Sequence, residues 1–232
     1  MQRHRYQQID RVLEAATLLG DLADEVVFVG GSAAGLLITD PAIPDVRPTM
    51  DIDVIVEIGS RGDYYRLQDR LRERGFREAV DEPVLCRFRH GSIVLDVMPT
   101  DQDILGFANR WYADAARNAQ TLEIDGVWLR AVTPAYFLAT KLEAFHGRGQ
   151  RDFMASHDME DIIAVLDGRL DIVEDVRDAD EDVRQYLADE FAAFLGDGDF
   201  MDALSGHLPG DVASQRRLPL LIARMERIAG RQ

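Results

Sequence analysis

The chain of 232 residues contains one cysteine, Cys86, and one lysine, Lys141; every other member of its 26 Lys and Arg residues is arginine. A lone cysteine excludes an internal disulfide and leaves no second thiolate for a sulfur-ligated metal, so Cys86 reads as a packing residue. No apolar run approaches the roughly eighteen residues that span a bilayer. The opening stretch Met1 to Arg11 is polar and carries arginine where a signal peptide needs an apolar segment. The expectation is therefore a cytoplasmic protein with no membrane partner. Positive charge is also scarce. A formal net charge of −16 counts against an extended, sequence-independent grip on nucleic acid, which draws on Lys and Arg to neutralise phosphates, and leaves room for a local basic patch.

What is present is an ordinary globular composition, 47% hydrophobic and 29% charged, with enough length to bury a sizeable core. The acids gather late. Between Asp171 and Asp202 there are twelve Asp or Glu against Arg177 and Arg184. Such a run reads as a solvated helical face, the alternative being a docking surface for a basic partner.

Hydrophobic periodicity predicts a helix over 9–24 and a β-branched strand at 26–30 that ends in Gly30-Gly31. A second helix, GSAAGLLIT, begins directly off that strand. The proline-rich stretch 41–48 is a loop, because proline removes the donors that a helix or ladder needs. Residues 51–58 form a strand, 63–76 an amphipathic helix closed by Gly75, and 84–99 a hairpin turning at His90-Gly91. One helix is predicted across 103–118, then a hairpin over 121–132 with Asp125-Gly126 at its tip. From Thr133-Pro134 onward every segment is helical. The organisation expected is an α/β domain over 1–132, with a mixed sheet flanked by helices, followed by a helical domain over 133–232.

Three features carry chemistry. In TMDIDVIVEI, Asp51 and Asp53 lie two apart on a strand, so both carboxylates project from one face while Ile52, Val54 and Val56 project from the other. The plain alternative is a solvent-facing strand end, but unpaired charge at the mouth of a buried strand is expensive and needs a reason. Asp96 is the lone acid in the apolar run SIVLDVMP. If its strand lies beside 51–58, three carboxylates converge into the oxygen environment that Mg²⁺ prefers when shared with substrate phosphates. A salt bridge to an arginine is the other reading of Asp96.

Upstream, VGGSAAGLL gives strand, double glycine, serine and helix. The glycines let a phosphate approach the backbone, and the first turn of the helix favours an anion, although the same residues also suit a plain tight turn. The segment lacks the lysine of a Walker A loop and the glycine spacing of a dinucleotide fold. Lys141 stands out because an otherwise arginine-only composition uses lysine once. An ammonium is a compact point charge suited to a terminal phosphate, and Arg148 lies seven residues on along the same helix face. Asp158 and Asp161 share a face of a later helix, where Ser156 as N-cap and Asp158 with Glu160 at the positive helix end would explain them equally well. His146 and His157 lack metal-ligand spacing and read as surface or packing residues.

The order GGS (30–32), R-P-T-M-D-I-D (47–53) and a lone strand aspartate resembles the nucleotidyltransferase superfamily that includes DNA polymerase beta. Within it the pattern is most similar to the AbiEii/AbiGii toxin-type nucleotidyltransferases. The likeness continues through T-P-x₆-K-L-E-A-F (133–145) and S-H-D-M-E-D-I-I (156–163), covering roughly residues 25 to 168. The resemblance implies that Gly30, Gly31 and Ser32 hold the nucleotide's phosphates and that Asp51, Asp53 and Asp96 ligate Mg²⁺, as a pair of ions. It further implies that Lys141 contacts the triphosphate, with Asp158 or Asp161 in support. The activity implied is transfer of a nucleoside monophosphate from an NTP to a hydroxyl of an RNA, a protein or a small molecule, in a chain that is the toxin of a toxin–antitoxin pair with a cognate antitoxin as partner. One rival is a partner in such a system that keeps the fold without turnover. A metal-dependent phosphohydrolase is another, but it would want histidine ligands beside the acids, and none is well placed.

Overall fold

The computed structural model describes residues 3–43, 47–80, 82, 84–148 and 151–231. The chain divides into two compact units, one made of Gln2–Leu36 with Pro48–Thr133 and the other of Leu37–Arg47 with Pro134–Gln232.

The first unit contains α1 (Arg3–Leu19), β1 (Val26–Val29), α2 (Gly30–Leu37), β2 (Ile52–Val56), α3 (Arg61–Glu73), β3 (Arg77–Glu78), β4 (Arg87–His90), β5 (Ile93–Pro99), α4 (Gln102–Leu105), α5 (Tyr112–Arg117), β6 (Gln120–Ile124) and β7 (Val127–Ala131). Its seven strands form one sheet in the order β3-β4-β5-β2-β1-β7-β6. β2 runs parallel to β5 and β1 parallel to β7; the other pairings are antiparallel. The sheet is therefore mixed and the class α/β, as the pattern of elements predicts.

Alternation along the strands sets what each face does. Phe28, Ile52, Val54, Leu95 and Val97 point to one side and share a core with Val12 and Leu19 of α1 and with Leu67 and Leu71 of α3. That core face is what the apolar stripes of the two helices need to cover. The intervening residues, Asp53 and Asp96 among them, point to the other side. Both predicted hairpins form. Ile124 pairs with Val127, leaving Asp125-Gly126 as the turn, and His90 pairs with Ile93, which places the other turn at Gly91-Ser92, one residue later than expected. The single helix predicted over 103–118 is instead two, because Gly106 ends α4 in a left-handed cap that a continuing helix cannot contain.

The second unit is helical: α6 (Pro134–Arg148), α7 (His157–Gly168), α8 (Ile172–Arg177), α9 (Glu181–Leu195), α10 (Gly198–Leu204), α11 (Val212–Gln215) and α12 (Leu218–Ile228), with no strand among the described residues. Pro134 opens α6, where its missing N–H costs nothing. Phe145, Phe153, Phe194 and Phe200 stack and cross in one aromatic cluster. The segment 37–47 belongs to this unit for a visible reason. The backbone N–H groups of Thr39 and Asp40 both donate to Gly168 O, at 3.0 and 2.9 Å, and a side chain at Gly168 would collide with Ile38. Several acids of the late run have local work: Asp197 caps α10, Asp180 accepts from Tyr136 Oη and Glu190 meets His146. Among the described residues no helix is long and apolar enough to cross a membrane.

Candidate active site

The register of the sheet brings two of the predicted acids, Asp53 and Asp96, together. Asp53 pairs directly with Asp96 across parallel strands β2 and β5, and Asp96 pairs directly with Arg87 across antiparallel β5 and β4. Residues paired in this way project from the same face, so Arg87, Asp96 and Asp53 form one row, which Val29 of β1 extends. Asp51, two residues before Asp53, lies just ahead of β2. It is held there by a network from α1: Gln8 Nε2 donates to Thr49 Oγ1 at 2.7 Å, Arg11 donates to the carbonyls of Thr49 and Met50 at 3.0 and 2.7 Å, and Thr49 Oγ1 donates to Asp51 O at 3.1 Å.

Arg87 is the residue that the sequence reading did not single out. Its Nε and Nη2 donate to the two oxygens of Asp96, each at 2.8 Å, while Nη2 also donates to Asp51 Oδ2 at 2.9 Å and Nη1 to Glu82 Oε2 at 2.8 Å. Asp96 is thus in the arginine pair that was its alternative reading, and it is also beside Asp53. The paired and planar geometry is the strong form of a guanidinium–carboxylate contact. Hydrogen bonding to Asp96 is the largest influence holding the Arg87 guanidinium charged. The Cys86 thiol is pushed up to about 12, first by burial and then by the negative charge of Asp96, which makes it a packing residue rather than a nucleophile.

Gly30 meets the same row from β1. It has a φ of +67°, and a Cβ built on it would fall 2.0 Å from Asp53 Oδ2 and 2.8 Å from Asp53 Cβ. Only glycine accepts both conditions. Gly30, Gly31 and Ser32 form the first turn of α2, and the buried Ser32 hydroxyl donates to Val29 O at 3.2 Å. The first N–H groups of a helix have no partner within it, which is the basis of anion binding at this position.

Lys141, Asp158 and Asp161 also come together, within the helical unit. All three are buried, at 6%, 3% and 2% exposure. Lys141 Nζ lies 3.0 Å from Asp158 Oδ1 and 2.6 Å from Asp161 Oδ2. Arg148 holds both oxygens of Asp158 at 2.8 Å, and Arg47 approaches Asp161 and Glu160 at 3.7 and 3.5 Å. Ser156 does cap α7, so the bland explanation of this helix start is correct, yet it does not account for two buried aspartates. Burial works to raise the Asp158 carboxyl, but the Arg148 hydrogen bond and the charges of Lys141 and Arg148 outweigh it and leave the group below its ordinary value. His146 and His157 are largely exposed, each beside a glutamate.

A crystal structure of an antigenic nucleotidyltransferase-like protein from Paracoccidioides brasiliensis matches this chain with a TM-score of 0.51 and 18% sequence identity, over 85% of this chain and 93% of that one. The fold is nucleotidyltransferase-like. No protein-family profile matches the chain, and no curated protein matches it in sequence.

On this nucleotidyltransferase-like sheet the oxygen donors would suit a hard divalent cation: the paired carboxylates of Asp53 and Asp96, with Asp51 reached by the same Arg87 that binds Asp96. That the position draws positive charge is visible in Arg87, whose guanidinium lies between Asp51 and Asp96. As the side chains stand, no group of three or more His, Cys, Asp or Glu among the described residues is drawn together for metal ligation. Sequence reasoning missed Arg87 and Glu82, because a turn at His90-Gly91 would set residue 85 opposite 96, whereas the observed turn at Gly91-Ser92 sets Arg87 there.

Proposed function

We propose that this chain is a Mg²⁺-dependent nucleotidyltransferase that moves a nucleoside monophosphate from an NTP to a hydroxyl and releases pyrophosphate. The observation that carries the reading is the direct pairing of Asp53 with Asp96 beside Gly30, with Asp51 joined to Asp96 through Arg87. Bound Mg²⁺ would supply charge stabilisation to the transferring phosphoryl group and ease ionisation of the attacking hydroxyl. Asp51, Asp53 and Asp96 are the ligands in this reading. The backbone N–H groups at the start of α2, from Gly30 to Ser32, hold the phosphates. Lys141 contacts the triphosphate, its ammonium positioned by Asp158 and Asp161. The nucleotidyltransferase-like fold supports the reaction class, and the likeness to AbiEii-type toxins suggests an RNA or protein acceptor and a cognate antitoxin.

A second reading, a partner in such a toxin–antitoxin system that keeps the fold without turnover, is favoured by one observation: Arg87 engages two of the three candidate ligands. Incubating the purified protein with each α-labelled NTP, Mg²⁺ and cellular RNA or protein separates the two. Label appearing in an acceptor, with pyrophosphate released, is the expected result; binding of NTP without any transfer across acceptors supports the inactive partner.

A further inference from the structure

We propose that Arg87 is a built-in competitor of the catalytic cation, occupying the aspartates until it pivots away toward Glu82. The inference rests on the metal reading of Asp51, Asp53 and Asp96. Arg87 Nη2 uses one oxygen of Asp51 and one of Asp96, and Nε uses the second oxygen of Asp96. A divalent ion needs those lone pairs at about 2.1 Å, well inside the guanidinium's contact distance. Ion and guanidinium also carry like charge, so one excludes the other.

Glu82 gives the arginine somewhere to go. Its Oε2 already accepts from Nη1 at 2.8 Å, so rotation about that contact keeps one charge-assisted hydrogen bond while releasing both aspartates. Arg89 binds the other oxygen of Glu82, with Nε at 3.0 Å, which fixes the carboxylate as a berth. Asp51 and Asp96 carry two negative charges against the one of the Arg87 guanidinium between them. Removal of the arginine therefore leaves a more negative site, and loading by the metal alone must displace three hydrogen bonds to two aspartates.

The test is a Mn²⁺ titration of the full chain without nucleotide, following free Mn²⁺ by electron paramagnetic resonance, for wild type, Arg87→Gln and Arg87→Gln with Asp53→Asn. Glutamine keeps much of the side-chain length but lacks the charge. Arg87→Gln is expected to bind Mn²⁺ about ten- to a hundredfold more tightly than wild type, the scale of a lost charge-assisted pair, and the added Asp53→Asn to abolish the gain. Equal affinity in wild type and Arg87→Gln, lost in the double variant, overturns the role of Arg87 and leaves the metal reading standing. No Mn²⁺ binding in any of them overturns both. Should Arg87→Gln fail to fold, the wild-type Arg87 Nε–H resonance decides: Mg²⁺ is expected to shift it as the aspartates are vacated, and an unmoved signal at Mg²⁺ saturation of the site contradicts the inference.

Discussion

Asp53 and Asp96 stand directly opposite each other on parallel strands, with Gly30 so close to Asp53 that a methyl group there would overlap its carboxylate. Two acids on adjacent strands repel each other and are kept only where something positive offsets them. At Asp96 that offset is Arg87. In the proposed enzyme it is Mg²⁺.

Replacing Asp51 and Asp53 together by Asn is expected to reduce nucleotidyl transfer to background, because neutral amides cannot hold a divalent ion. Asp51 is partly exposed and makes one contact with Arg87, so its share of any loss in stability should stay within about 1 kcal/mol. Urea unfolding alongside the transfer assay checks both halves; a double variant with undiminished turnover at limiting Mg²⁺ would remove the metal assignment.

Gly30→Ala should destabilise the protein by at least about 1–2 kcal/mol, the cost of left-handed backbone for a residue with a Cβ. Displacement of Asp53 adds to this, since the clash reaches its Cβ and not only the carboxylate tip. The signature is that nucleotide-dependent metal binding falls with stability. A Gly30→Ala variant as stable as wild type would mean the backbone at this turn differs from the one described.

Much of this arrangement is legible in the sequence. The D-x-D of 51–53 announces its own face through the two-residue period, and both hairpins are marked by Gly at their turns. What the sequence does not reveal is strand order. Nothing in residues 51–58 or 93–99 states that they are neighbours, because parallel pairing depends on contacts between distant segments. The Arg87 partnership hangs on hairpin register, where moving the turn by one residue would put a different side chain opposite Asp96. The helix break at Gly106 was hidden because an isolated glycine is tolerated within helical patterns. Likewise, 41–48 reads as a plain loop after the helix GSAAGLLIT, yet the backbone of Thr39 and Asp40 just before it is tied to Gly168 by pairings that no local pattern encodes.

Lys141→Met is expected to cost about 3–5 kcal/mol in stability, because it takes the ammonium from two buried carboxylates and leaves Asp161 only the more distant Arg47. Lys141→Arg should recover only part of that, since the planar fork does not fit where an ammonium reaches two carboxylates. Denaturant midpoints measure the effect. The triphosphate role is tested separately, at a temperature where the variant remains folded, by titrating a non-hydrolysable NTP and the matching nucleoside. Loss confined to the triphosphate supports the role, and equal affinity in wild type and variant contradicts it.

The depressed Asp158 carboxyl makes a pH prediction. Its folded pKa lies below the ordinary 3.8, so its contribution to stability is present above that value and is lost as pH falls through the folded pKa. Unfolding free energies of wild type and Asp158→Asn should therefore differ most near neutrality and converge below pH 3.8. A difference that stays constant down to pH 2 would show that charge at Asp158 is not what the helical unit uses.

In the proposed enzyme Asp51, Asp53 and Asp96 hold the metal that serves a nucleotide. Crystals grown with Mn²⁺ and a non-hydrolysable NTP test it most directly, because the anomalous signal of manganese locates the ion without reference to activity. The account predicts Mn²⁺ within about 2.0–2.4 Å of carboxylate oxygens of these three residues, with the phosphates at the start of α2 and Arg87 withdrawn toward Glu82. Nucleotide bound with Arg87 still between Asp51 and Asp96, and Mn²⁺ absent from those carboxylates, would contradict it.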